Sequence, residues 1–325
     1  MSRQSSVTRR SIDSGKRHTA PPFRHSQLTV LLGFLVFAIS CCGTGRLCAQ
    51  DDSQGPQPPE GVTYDRDIEY GKGGGEPLHL DLARPAQRDK PAPCIVVIHG
   101  GGWAAGNKSH HTDLIFQLAS RGYVAATVQY RFAPDHPFPA QVEDVKCAVR
   151  YLRAHADEYG IDAKRIGAMG FSAGAHLSMM LGSMGADDGL EGEGGWPDQS
   201  SKVQAVVSFA GPTDLAAEDL PPPALGPVKG LLGGSASEKP DLAEKASPLT
   251  YASEGDAPML LFHGTKDNIV PYSQAVKMAE ALTDAGVSGR IELILGAGHG
   301  WGGADAKRSM EQTFEFFDRY LTPDP

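Results

Sequence analysis

The chain has 325 residues, and its 39 Asp and Glu outnumber its 30 Lys and Arg to give a formal net charge of −9 at pH 7. Seven basic residues and one acidic residue lie in the first 50 positions, so the remainder carries a net charge of about −15 and no polybasic patch. Nucleic acid and anionic membrane surfaces are therefore poor partners for the body of the chain, whose length suits one α/β domain.

In chain order, the first segment is a leader. Arg3, Arg9, Arg10, Lys16, Arg17 and Arg24 precede an apolar run from Leu28 to Cys42. At about 15 residues that run is long enough for a signal-peptide core and short for a membrane span. Residues 1–50 are expected to direct export to the periplasm or the extracellular space, with cleavage near Ala49-Gln50 and no membrane partner afterwards. An uncleaved amino-terminal anchor, or a lipid attached at Cys41, is the alternative; the lipid reading lacks the leucine expected where Ala38 stands. Residues 51–63, with three prolines, read as a linker, and 64–325 as one folded domain. Only Cys94 and Cys147 fall in that domain, and they are expected to be two buried thiols rather than a bridge.

Within the domain, strand and helix patterns alternate as a mostly parallel, helix-covered sheet requires. A strand pair at 67–70 and 78–83 is followed by strand 94–98, helix 110–121, strand 123–128, helix 140–158 and strand 165–169. Then come a helix from 173, strands 203–209 and 258–263, helix 273–285, strand 290–295 and helix 305–321, about eight strands in all. Two stretches break the alternation: 183–202, glycine-rich and acidic, and 212–256, with Pro221-Pro222-Pro223 and two Gly-containing turns. They are expected to form short lid insertions over an open cleft, without a large helical cap and without a long tunnel. The acidic residues Asp187, Asp188, Glu191 and Glu193 lack an ordered ligand spacing and read as a solvated loop rather than a metal site. His110 and His111 read as a surface turn at a helix start.

Three constellations carry chemistry. Gly170-Phe171-Ser172-Ala173-Gly174 lies between a strand pattern and a helix pattern, a G-x-S-x-G elbow that presses the serine into a strained turn at the positive end of a helix. Upstream, the apolar run 94–98 ends in His99-Gly100-Gly101-Gly102-Trp103, a glycine loop whose backbone NH groups can turn toward an oxyanion. Downstream, Met259 to Asp267 puts a carboxylate just past a strand, and Ile291 to Leu295 leads into Gly296-Ala297-Gly298-His299. The order Ser172, Asp267, His299, each member after a strand on the same sheet edge, gives nucleophile, orienting acid and general base. Trp103 and Trp301 adjoin these loops, as pocket walls or as packing.

From about residue 64 to about residue 321 the chain resembles α/β-hydrolases of the secreted esterase and lipase type, above all the hormone-sensitive-lipase-like and the acetyl-xylan or feruloyl esterase groups. The matching residues are His99 to Trp103, Tyr130 to Ala140 (YRFAPDHPFPA) followed by Asp144, the elbow, and HGTKD ending at Asp267. The resemblance implies an α/β-hydrolase fold, a mostly parallel eight-stranded sheet with helices on both faces. It also implies a structural role for the Tyr130 segment, so Arg131, Asp135 and Asp144 are expected to brace the region beneath the elbow.

The expected activity is that of a secreted serine carboxylesterase on short acyl or feruloyl esters of polysaccharide. Ser172 would attack, His299 would move the proton, Asp267 would orient it, and the NH groups of Gly101, Gly102 and Ala173 would hold the oxyanion. No metal or organic cofactor is required. A lipase-like esterase, a serine peptidase and an arylformamidase are the alternatives within this fold, and a non-catalytic binding protein the one outside catalysis.

Overall fold

The computed structural model describes residues 55–322, so the leader, with its export, anchor and lipid readings, and residues 51–54 of the linker lie outside the described residues; of the rest of the linker, 55–61 form no strand or helix, while Val62 and Thr63 already belong to the first strand. The strands are β1 (Val62–Gly73), β2 (Glu76–Pro85), β3 (Ala92–Ile98), β4 (Val124–Val128), β5 (Ile161–Phe171), β6 (Val206–Phe209), β7 (Met259–Gly264) and β8 (Gly289–Ile294). They form one sheet in the order β1-β2-β4-β3-β5-β6-β7-β8. The hairpin β1–β2 is antiparallel and joins β4 antiparallel; every other pairing, from β4 through β8, is parallel.

Alternation along the strands splits the interior into two cores. Cys94, Val96 and Ile98 of β3 face one cluster and Ile95 and Val97 the other, because successive side chains leave a strand on opposite faces. Helices α1 (Thr112–Ser120) and α8 (Gly303–Leu321) cover the second cluster. Helices α2 (Ala140–Ala154), α3 (Ala156–Tyr159), α4 (Ala173–Ser183), α5 (Pro222–Leu232), α6 (Pro240–Lys245) and α7 (Ser273–Asp284) lie among the rest. Parallel strands buried on both faces need such double cover. All five residues of β4 are buried.

Several expectations shift. The helix expected over 140–158 is broken at His155, which stacks on Tyr151 with centroids 4.1 Å apart and closes onto its carbonyl; α3 then ends on left-handed Gly160. The helix expected from 110 begins as a 3₁₀ turn over Lys108–His111, capped by Asn107, before α1 proper. The insertion 212–256 contains two helices, α5 and α6, which periodicity did not signal because Pro and Gly interrupt it. Cys94 and Cys147 are free and buried; burial pushes their thiols up, to about 12 and about 11, which keeps them protonated and unreactive. In the Tyr130 segment, Arg131 forms a fork on Asp144 at 2.8–3.0 Å and reaches Glu143, as a brace should. Asp135 is exposed and makes no ion pair among the described residues, so it is not part of that brace.

The acidic loop 183–202 is only partly solvated. Asp187, Asp188 and Glu193 are exposed, but Glu191 turns inward and accepts from Lys146 (2.8 Å) and Arg150 (2.5 Å), whose side chains are 0% and 2% exposed. Burial by itself would raise the Glu191 pKa; the bond to Lys146 leads the effects that hold it below the usual carboxylate range. Glu191→Gln leaves two buried cations without a counter-charge, so the expected loss is about 3 kcal/mol of unfolding free energy. Urea denaturation at neutral pH measures it, and an unchanged midpoint would contradict the pairing.

Candidate active site

Strand β5 runs straight into the elbow. Ser172 has φ 54° and ψ −118°, a conformation an L-residue holds only when its surroundings impose it. The glycines on either side explain how. A Cβ on Gly170 would overlap the backbone of Gly174, and a Cβ on Gly174 would overlap the carbonyl of Ile98. The strand end, the helix start and the neighbouring strand β3 are thus in backbone contact. Ser172 N donates to Phe209 O at 2.8 Å, which fixes the turn to β6.

The structure brings Ser172, His299 and Asp267 together. His299 Nε2 lies 2.8 Å from Ser172 Oγ, and His299 Nδ1 lies 2.7 Å from Asp267 Oδ2. The side chain of Asp267 is fully buried, and Oδ1 accepts from the backbone NH groups of Ile269 and Val270, both at 2.9 Å. Burial opposes the charge, yet hydrogen bonds from His263, His299 and those two amides outweigh it and hold the carboxyl well below the usual range. Among these donors His263 is the weakest. Its one Nε2 proton points to Val270 O at 2.8 Å, with Asp267 Oδ2 at 3.3 Å. His263 was missed in the sequence; a histidine closing the apolar strand Met259 to Phe262 was the available signal.

The amides of Gly101, Gly102 and Ala173 find no acceptor among the described residues. Gly101 (φ 119°) and Gly102 (φ 59°) take left-handed backbone, and Gly101 could carry no side chain because a Cβ would overlap Ala105 O. Ala173 opens α4, so its NH sits at the positive end of the helix dipole. The loop is secured from behind by Tyr130, whose hydroxyl donates to His99 O at 3.0 Å and whose ring stacks on His99 at 4.4 Å. Unpaired donors beside a hydroxyl–imidazole–carboxylate chain can stabilise a tetrahedral oxyanion formed at the serine.

A cavity of about 370 Å³ opens above Ser172 and His299. Its walls are Trp103, Leu215, Leu220, Ala224, Pro227, Val228, Ile269 and Val270, with no charged or amide side chain among them. Trp103 is therefore a wall, while Trp301 packs near Phe209 and donates to Ser309 Oγ at 3.0 Å. His110 is exposed as expected. His111 is half-buried and stacks on Phe171 at 4.6 Å; burial pushes its imidazolium pKa down to about 4. It starts an aromatic row, Phe171 on Phe209 on Phe262, each pair 4.8 Å apart, that spans the ends of β5, β6 and β7 beside the elbow. No group of three or more His, Cys, Asp or Glu among the described residues is arranged to hold a metal.

A mostly parallel, doubly covered sheet with a serine elbow at the carboxyl ends of its strands is the architecture of the α/β-hydrolases. Residues 80–282 match the BD-FAE family, and the chain belongs to it, within the α/β-hydrolases of the esterase and lipase type. It is similar to the esterase LipC of Mycobacterium tuberculosis, 33% identical over 229 residues that cover 68% of this chain and 56% of that one. It is also similar to LipM of the same organism, a probable carboxylic ester hydrolase, at 34% over 221 residues, 65% of this chain and 50% of the other. The chain thus spans about half the length of the curated relatives it matches. Among solved structures, a truncated carbohydrate esterase from gut microbiota superposes with a TM-score of 0.72 at 28% identity, covering 82% of this chain and 99% of that one. The propionate-bound esterase 2 of Thermogutta terrifontis gives 0.67 at 29% identity, covering 82% and 98%.

Asp267 supplies a test of the electrostatics. A carboxyl with a depressed folded pKa contributes stability that is complete above its ordinary value of about 4 and is lost as pH falls through the folded value. Asp267→Asn should therefore cost about 2 kcal/mol at pH 7, and the gap to wild type should stay constant down to about pH 4 and close below it. Thermal unfolding as a function of pH reads this; a gap that widens in acid would contradict it.

Proposed function

We propose that this protein is an exported serine carboxylesterase that uses Ser172 as nucleophile, His299 as general base and acid, and Asp267 to orient and stabilise the imidazole. The observation that carries the reading is the continuous chain Ser172 Oγ, His299, Asp267 at 2.8 and 2.7 Å beside three unpaired amides. His299 removes the Ser172 proton as Oγ attacks the ester carbonyl, and the amides of Gly101, Gly102 and Ala173 receive the oxyanion. The protonated imidazole then delivers its proton to the leaving alcohol, and the same residue activates water to release the acid. Each step moves one proton between His299 and a neighbouring oxygen.

Ser172→Ala removes the nucleophile and little volume, so turnover should fall about a thousandfold or more with the melting temperature unchanged. A fluorophosphonate probe should label Ser172 in the wild type; persistence of wild-type hydrolysis in the variant would end the assignment.

The cavity supports a compact acyl group. Helix α5 gives it an aliphatic wall, richer in apolar contacts than the sequence of the insertion suggested, but about 370 Å³ must hold the acyl group and the start of the alcohol. Apart from Ser172 and His299 a sugar would find no hydrogen-bonding side chain free inside, so a polysaccharide-linked ester fits with its acyl group inward and its sugar at the mouth. Likeness to a gut carbohydrate esterase, and to an esterase whose structures hold propionate and butyrate, supports short acyl esters on carbohydrate.

Each methylene buried should add up to about 0.8 kcal/mol until the wall is reached. Among p-nitrophenyl esters, kcat/KM should rise from acetate toward butyrate and fall at octanoate, and acetylated xylan oligomers should release acetate. A tenfold preference for octanoate with no release from xylan would replace this substrate class with a lipase-like one.

A further inference from the structure

The oxyanion loop holds three successive residues in left-handed backbone: Gly101, Gly102 and Trp103, with φ 119°, 59° and 59°. No strand or helix ladder secures such a run, so something else must over-determine it. Part of the answer is local: Gly101 O accepts from Ala104 and Ala105, and Trp103 O accepts from Ala133 N at 2.9 Å. The remaining anchor is the indole. Trp103 is 3% exposed, and its Nε1 donates to His176 Nδ1 at 3.2 Å, with the two rings edge to face at 5.1 Å.

His176 is completely buried on the first turn of α4, and its own NH donates to Ser172 O at 3.0 Å. Its Nε2 lies 2.7 Å from Ala246 O, the carbonyl of the residue that caps α6. These partners dictate the tautomer. An indole NH can only donate and a carbonyl can only accept, so Nδ1 carries the lone pair and Nε2 the proton. Burial, partly offset by the Ala246 carbonyl, lowers the imidazolium pKa to about 4, so the ring stays neutral and keeps that lone pair at neutral pH. One ring thus ties the loop that carries two oxyanion amides to the helix that carries the third. A buried leucine or phenylalanine could fill the space; it could not make either bond.

We propose that His176 is a positioning residue for the hydrolysis proposed above, holding Trp103, and through it the amides of Gly101 and Gly102, in register with the amide of Ala173. It touches no substrate atom. Its effect falls on the transition state, because only there do the amides meet a full oxyanion.

The test uses the purified full-length protein, with p-nitrophenyl acetate as substrate and rates normalised to active sites titrated by a fluorophosphonate. His176→Phe should lower kcat about tenfold to a hundredfold with KM changed less than about threefold, because a displaced amide weakens transition-state binding alone. His176→Gln, which offers an acceptor and a donor, should recover most of the loss. Trp103→Phe should lose as much as His176→Phe, and the double variant should lose no more than either, as removal of one shared interaction predicts. Affinity for an alkylboronic acid, which forms a tetrahedral adduct on Ser172, should fall in step with kcat, while inhibition by acetate stays unchanged. A wild-type kcat in titrated His176→Phe, additive losses in the double variant, or equal losses of boronate and acetate affinity would overturn the proposal. If His176→Phe does not fold, Trp103→Phe with His176→Gln decides the matter alone. Turnover surviving in Ser172→Ala would instead remove the hydrolase reading on which the proposal rests.

Discussion

The backbone contact at Gly170 and Gly174 is the constraint from which the site follows. With no Cβ at either position, the end of β5, the start of α4 and the end of β3 approach more closely than any side chain would permit. The turn between them must then be made in one residue, and Ser172 takes it up at φ 54°. Such a conformation costs on the order of 1–3 kcal/mol and survives because the bonds to Phe209 and His176 and the packed helix leave no alternative. The strain has a use. It points Oγ out of the sheet at the positive end of α4, where the next amide has no partner within the helix.

Asp267 shows the opposite balance. Burial works against its charge, so the anion persists only because the segment after β7 is wrapped around it, with two amides on one oxygen and an imidazole on the other. The same bonds that keep the carboxylate ionised also fix its direction, and hence the tautomer and tilt of His299. The row of stacked rings across β5, β6 and β7 joins this side of the site to the elbow. Because the rings occupy paired register positions, Phe171 to Phe209 to Phe262, displacement of the β6 end would break two stacks at once.

What could be read in the sequence was whatever has a local signature. The elbow, the glycine loop and the order of Ser172, Asp267 and His299 depend on short motifs whose backbone demands are written in neighbouring residues, and the strands of the parallel sheet are apolar runs bounded by turns. What could not be read depends on partners distant in the chain. Glu191 looked like one more acid in a glycine-rich loop, and only the fold supplies Lys146 and Arg150. His176 and His263 are single polar residues in apolar runs, uninformative until Trp103, Ala246 and Asp267 are set beside them. Helix α5 was concealed by composition, since Gly226, Pro227 and Gly230 make it a poor helix by propensity.

Helix α5 also walls the cavity above Ser172. Pro227 cannot donate within α5, and the two glycines favour other backbone states, so the helix persists through its surroundings. Phe138 N donates to its Leu231 carbonyl, Lys239 Nζ to Leu232 O, and left-handed Gly233 closes its end. Pro227 also lies against Gly102 of the glycine loop. One wall of the cavity is thus built from a segment of weak intrinsic helical preference, while Ser172 and Asp267 follow the largely buried strands β5 and β7 and His299 follows the more exposed edge strand β8. Such a division lets the insertion vary in sequence and reshape the cavity with little effect on the serine, the imidazole or the carboxylate, except through Gly101, Gly102 and Trp103, where the glycine loop itself lines the cavity.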